Sequence, residues 1–194
     1  MSAPAALVIA KIIYPENEKS VTFGNVNLNI KKTESNMMEA IAKGATDGLK
    51  LAANVAAMLI AFVSIIAMLN YFLSYINLSL EEILGTIFRP LAFLMGTSWD
   101  EAYTLGMLMG KKIVLTELVA YGELANLDIS NKTAIIASYA LCGFSNFASI
   151  GIQLGGIGGI APERRSDLAK IALKAMFGGA LASWLTASIA GMLL

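Results

Sequence analysis

Hydrophobic and polar positions fall along this chain in long blocks. Residues 51–80 and 133–162 each run for 30 positions without Asp, Glu, Lys or Arg, and residues 175–194 add a further 20. About 20 consecutive apolar residues suffice to cross the hydrocarbon core of a bilayer as a helix. Residues 51–76 therefore predict the clearest spanning helix, with Tyr71 and Tyr75 suited to its interfacial end. Ahead of it, residues 35–50 are amphipathic. Met37, Met38, Ile41, Ala45 and Leu49 share one side, with Glu39, Lys43, Asp47 and Lys50 on another. That segment suits an interfacial helix capped by Ser35 or Asn36.

The remaining blocks are shorter. Residues 80–96 are apolar but broken by Arg89-Pro90, a length that favours the interface over a span. Residues 98–124 open on Trp99, Asp100 and Glu101. Two apolar halves follow, 102–110 and 113–122, separated by Lys111-Lys112. Halves of about ten residues are too short to cross, and the pair predicts a re-entrant hairpin that enters and returns on one side. Residues 166–194 form a final span, and its small residues (Gly178, Gly179, Ala180, Ser183) favour close helix contact. Residues 1–14 are apolar up to Pro15 and lack the pattern of a cleaved signal. They resemble the end of a longer transmembrane helix, so the chain is expected to be a fragment or to begin at an internal Met. Residues 15–34 are polar; 21–30 alternate weakly around Gly24-Asn25, open to a small hairpin but better read as a loop.

Composition agrees with the blocks. The 194 residues are 57% hydrophobic and 14% charged, with mean hydropathy +0.68, whereas soluble domains carry about 25% charged residues. The fold class is all-α integral membrane. Formal net charge is zero, which disfavours nucleic acid as a partner. There is no His and a single Cys, Cys142, expected as a buried, inert thiol. The chain thus offers no zinc set, no disulfide framework and no imidazole base, and no reactive dyad for an intramembrane enzyme.

The candidate chemistry lies inside the apolar blocks. Residues 144–152 read Phe-Ser-Asn-Phe-Ala-Ser-Ile-Gly-Ile, an amide and two hydroxyls at membrane depth, with Gly151, Gly155, Gly156, Gly158 and Gly159 after them. Polar groups there face a partner, a cavity or a ligand, and glycines permit a broken helix whose free ends form a site. The competing explanation is packing, since Gly151, Gly155 and Gly159 make a small-xxx-small stripe. Glu117, flanked by Ile113, Val114, Leu115, Leu118 and Val119, is the other candidate. Its alternative is an ion pair with Lys111 or Lys112.

Three runs of residues then bear a family resemblance: Leu108-Met109-Gly110-Lys111-Lys112 with Glu117-Leu118-Val119-Ala120-Tyr121; Tyr139 through Ile152; and Pro162-Glu163-Arg164-Arg165-Ser166-Asp167. They resemble the C-terminal part of the concentrative nucleoside transporters, and the likeness covers the chain in consistent order. The resemblance implies a partial transporter fold holding the second of two inverted repeats. Residues 1–14 correspond to the end of the fifth span and 35–50 to an interfacial helix. The sixth span, 51–76, belongs to the family's scaffold at a homotrimer interface. Residues 80–96 match the next interfacial helix, 98–124 the second re-entrant hairpin, 133–162 the unwound seventh span and 166–194 the eighth.

It further implies that Glu117, Asn146 and Ser149 hydrogen-bond the ribose hydroxyls of a nucleoside, with Phe144 packing nearby. Their chemistry suits that task, because a carboxylate accepts from vicinal hydroxyls while amide and hydroxyl groups both donate and accept. Thr116 and Leu118 stand where the family usually has Asn and Phe, and Ser145-Asn146-Phe147-Ala148-Ser149 replaces its Ala-Asn-Phe-Ser-Ser. The implied activity is cation-coupled nucleoside uptake, by sodium or proton, at the cell membrane. The cation site and base recognition would lie in a missing N-terminal half. The alternative is a transport-inactive truncated product or membrane-embedded subunit. The distribution of Lys and Arg, with 15–50 and 164–174 sharing the cytoplasmic face, places the C-terminus outside.

Overall fold

The computed structural model describes residues 2–17, 19, 24 and 36–194, all of whose regular elements are helical. The weakly alternating segment 21–30 lies outside the described residues apart from Gly24. The helices are α1 (Ser2–Ile13), α2 (Met37–Ser74), α3 (Leu80–Leu94), α4 (Trp99–Val114), α5 (Glu117–Leu124), α6 (Asn131–Leu141), α7 (Phe147–Ile160) and α8 (Arg165–Leu193). A 3-10 turn, Pro162–Arg164, joins the last two.

The amphipathic stretch and the apolar stretch that follows it are one continuous helix. α2 starts where Asn36 accepts the Glu39 N–H at 2.9 Å and runs 38 residues. At 1.5 Å per residue that is about 57 Å, well over the ~30 Å of a bilayer core. Of its residues only Ile66 is buried, and Ile60, Val63 and Met68 stand open on its flank. Such a surface is suited to lipid or to more protein, not to water. α2 and the segment Pro162–Leu193 are both long and apolar enough to cross.

Arg89-Pro90 does not break α3, contrary to the sequence expectation; Pro90 lies inside the helix. Ser79 and Glu82 close a capping box at its start, and Asn70 of α2 bonds both Glu81 carboxylate oxygens at 3.1 Å. Tight packing on α4 offsets the backbone bond the proline removes. Gly106 lies so close to α3 that a Cβ there would meet Gly85 O at 2.5 Å.

The core joins α3 through α8. Phe88 and Ala92 of α3, Leu105, Met109 and Ile113 of α4, Ile136 and Ala140 of α6, and Ala180 and Trp184 of α8 form one buried cluster. α2 sits outside it and packs on α7. A Cβ on Gly151 would lie 3.0 Å from Met58 O, and one on Gly155 would lie 3.1 Å from Asn54 O. The small-residue stripe is therefore a helix contact, and it coexists with the polar residues at the start of the same helix.

Candidate functional site

Two interruptions meet in space. The first separates α4 from α5. It falls at Leu115 (φ −101°, ψ −103°) and Thr116 (φ −150°, ψ 161°), not at Lys111-Lys112, which occupy the last turn of α4. The lysines leave the helix intact because each has an acceptor on a neighbouring element. Lys111 pairs with Glu123 of α5, and Lys112 Nζ donates to Ala140 O of α6 at 3.1 Å. The second helix, α5, is correspondingly shorter than the expected second half, beginning at Glu117 and ending at Leu124.

The second interruption separates α6 from α7. Cys142 leaves the helical conformation (φ −62°, ψ 124°), Gly143 takes φ +119°, and Asn146 is extended. Gly143 tolerates this backbone because it has no Cβ, which would otherwise lie 2.7 Å from Ser183 Oγ. Asn146 then starts α7 by a capping box. Its Oδ1 accepts the Ser149 N–H at 2.7 Å, and Ser149 Oγ accepts the Asn146 N–H at 3.2 Å. An asparagine suits this position because its short amide reaches the free N–H groups of a first turn.

Three of the four sequence-expected site residues come together. Asn146 Nδ2 donates to Glu117 Oε2 at 3.1 Å, and Ser149 is bound to Asn146 through the capping box. Asn146 has no exposed surface, Ser149 is buried, and Glu117 is half-buried. Glu117 is the first residue of α5 and Asn146 precedes the first residue of α7. The Asn146 side chain thus ties the start of α7 to the start of α5. One Asn146 contact leaves the Glu117 carboxylate spare acceptor capacity. Phe144 lies in the second interruption, 53% exposed. It borders a cavity of about 300 Å³ together with Ser145, Ser149, Gln153, Met176 and Gly179. Neither Glu117 nor Asn146 lines this cavity, and Ser149 is the residue common to the cavity and the Asn146 capping box.

Other positions depart from expectation. Cys142 is exposed, not buried, because it follows the last residue of α6 and no longer shares that helix's inner face. Neither lysine pairs with Glu117. Sequence reasoning did not single out Tyr121, whose hydroxyl donates to Ser138 O at 2.6 Å and fastens α5 to α6. Lys112 was visible only as a charge in an apolar run; its burial depends on α6, which is distant in sequence. Among the described residues, no cluster of three or more His, Cys, Asp and Glu side chains could hold a metal ion.

An all-helical membrane chain whose polar groups gather where interrupted helices begin has the build of a secondary transporter. The comparisons make the class specific. The family model described as the C-terminus of Na+-dependent nucleoside transporters matches residues 1–191, and the chain belongs to that family. It is 48% identical to the uncharacterized transporter YutK of Bacillus subtilis, over 99% of this chain and 50% of that protein. It is 40% identical to the nucleoside permease NupC of Helicobacter pylori, over 99% of this chain and 49% of that one. Sodium/nucleoside cotransporter 2 of Mus musculus is 38% identical, over 100% of this chain and 33% of that protein. The chain thus spans about half the length of the bacterial relatives.

Among solved structures, a variant of CNTnw in an outward-facing state superposes with TM-score 0.87 at 36% identity, covering 98% of this chain and 48% of that one. CNTnw in an inward-facing, substrate-bound state gives 0.71 at 39% identity, with the same coverage of each. These relatives are transporters and not enzymes.

Proposed function

We propose that this chain supplies the ribose-binding half of a nucleoside transporter driven by a cation gradient. The observation that carries the reading is the 3.1 Å bond from Asn146 to Glu117 at the meeting point of two interrupted helices. A ribose presents vicinal hydroxyls. Glu117 accepts from them, while Asn146 and Ser149 supply groups that donate or accept, and Phe144 packs against the ligand from the open side of the break. In this reading the α4–α5 pair is a re-entrant hairpin, and α6–α7 is one span unwound at its middle.

Names of the relatives support the substrate class and favour sodium as the coupling ion. The cation site, the groups that read the base and the partners of the open α2 face are assigned to the rest of the protein. Homotrimeric assembly and a C-terminus outside the cell membrane complete the proposal.

The test is uptake of radiolabelled uridine and adenosine by the full-length protein in cells lacking other nucleoside carriers. The expected result is accumulation against a gradient, lost when choline replaces sodium, and lost in Glu117→Gln with the protein still in the membrane. Normal uptake by Glu117→Gln and Asn146→Ala would overturn the site. Uptake driven by an acid exterior without sodium would instead assign the coupling to protons.

A further inference from the structure

Lys112 is the largest side chain without exposed surface among the described residues. It stands in the last turn of α4, and its Nζ donates to Ala140 O at 3.1 Å. Ala140 belongs to the last turn of α6, which ends at Leu141. The final carbonyls of a helix have no partner within it, and the helix dipole leaves partial negative charge there. A buried ammonium is costly unless charge and hydrogen bonds compensate it, and this end of α6 provides both. In transporters built from interrupted helices, the C-terminal end of a half-helix is a place where coupling cations are coordinated. Here a lysine already occupies it. The neighbouring Lys111 is committed elsewhere, to Glu123. The break beside Lys112 is close: a Cβ on Gly143 would lie 4.0 Å from Nζ.

We propose that Lys112 is a built-in cation for the broken helix. Its ammonium takes the position at the end of α6 that a free metal ion would otherwise take, and fixes the break at 142–146 in the shape that brings Asn146 to Glu117. Lys112 is thus a positioning residue, and this repeat needs no metal of its own. The consequence for cation coupling, that its site lies outside this stretch, rests on the transport reading; the conformational role does not.

The experiment measures alkylation of Cys142 by a maleimide in the full-length protein, with cysteines outside this stretch replaced and each variant's rate expressed per thiolate from its own pH profile, alongside the melting temperature. Lys112→Met, of similar length and neutral, is expected to raise the alkylation rate about threefold or more and to lower the melting temperature, because the break opens more readily. Lys112→Arg retains the charge and is expected to stay near the parent. Lys112→Ala leaves room for a small amine, and propylamine is expected to slow its alkylation back towards the parent rate. A Lys112→Met protein that reacts as slowly as the parent overturns the proposal, as does a Lys112→Ala protein indifferent to propylamine. Should Lys112→Met not accumulate, the arginine variant and the amine rescue decide. All rates are taken without nucleoside, so failure here is distinct from failure of the transport reading, which would appear as uptake indifferent to Glu117→Gln.

Discussion

Asn146 does two jobs with one amide. Its oxygen caps α7 through the Ser149 N–H, and its nitrogen bonds Glu117. Substitutions can separate them. Asn146→Ala removes both, and loss of a cap alone costs about 1 kcal/mol. Asn146→Asp retains an oxygen that can cap α7 but sets a second carboxylate about 3 Å from Glu117, where like charges repel. The expected outcome is that Asn146→Asp accumulates as well as the parent yet fails in nucleoside uptake. Uptake at the parent rate by that variant would show that the Glu117 contact is dispensable. For Glu117→Gln, losing charge-assisted bonds worth about 1.5–3 kcal/mol predicts binding weakened about tenfold or more, measured by titration calorimetry with uridine.

Among the elements, the two breaks are stabilised differently. The α4–α5 break has no side-chain cap at Thr116 and relies on Lys111–Glu123 and Tyr121–Ser138 contacts to hold its second half in place. The α6–α7 break relies on backbone conformation, with Gly143 at φ +119° against Ser183. Gly143→Ala combines left-handed backbone strain with a steric conflict, together costing on the order of 1–3 kcal/mol. Its melting temperature is expected to fall, and adding Ser183→Ala to recover part of the loss by removing the conflict but not the strain. Equal stability of the single and double variants would leave backbone strain as the only cost. At the α2–α7 contact, Gly155→Leu forces a side chain against the Asn54 backbone and is expected to destabilise by about 1–3 kcal/mol in the same assay.

For the whole molecule, the arrangement of helices is nearer to the outward-facing CNTnw structure than to the inward-facing one, with TM-scores of 0.87 and 0.71. On the proposed function this chain holds one repeat of a transporter, and alternating access that moves one repeat or bundle around a fixed site requires the other as well. A polypeptide limited to these 194 residues, reconstituted into liposomes, is therefore expected to show no uridine uptake above empty vesicles. Uptake by that preparation would refute the need for a second repeat.

Much of this was legible in the chain itself. Uncharged runs of 20 to 30 residues carry the requirement that backbone polar groups be satisfied within the segment, so they dictate helices and a membrane setting whatever their neighbours. An Asn and a Ser three apart in such a run, and one Glu in a second run, raised candidates that helix packing or an ion pair explained as well, and the family resemblance chose between them. Local pattern could not say where each helix would stop. Lys111-Lys112 resembled an interruption until Glu123 and Ala140 accepted their charge, and Arg89-Pro90 resembled a break until α4 packed against α3. Cys142 resembled a core thiol until its helix ended one residue earlier. The 3.1 Å approach of Asn146 to Glu117 joins residues 29 apart in sequence, burial joins residues farther apart still, as Phe88 and Trp184, and only the packed chain brings such residues together.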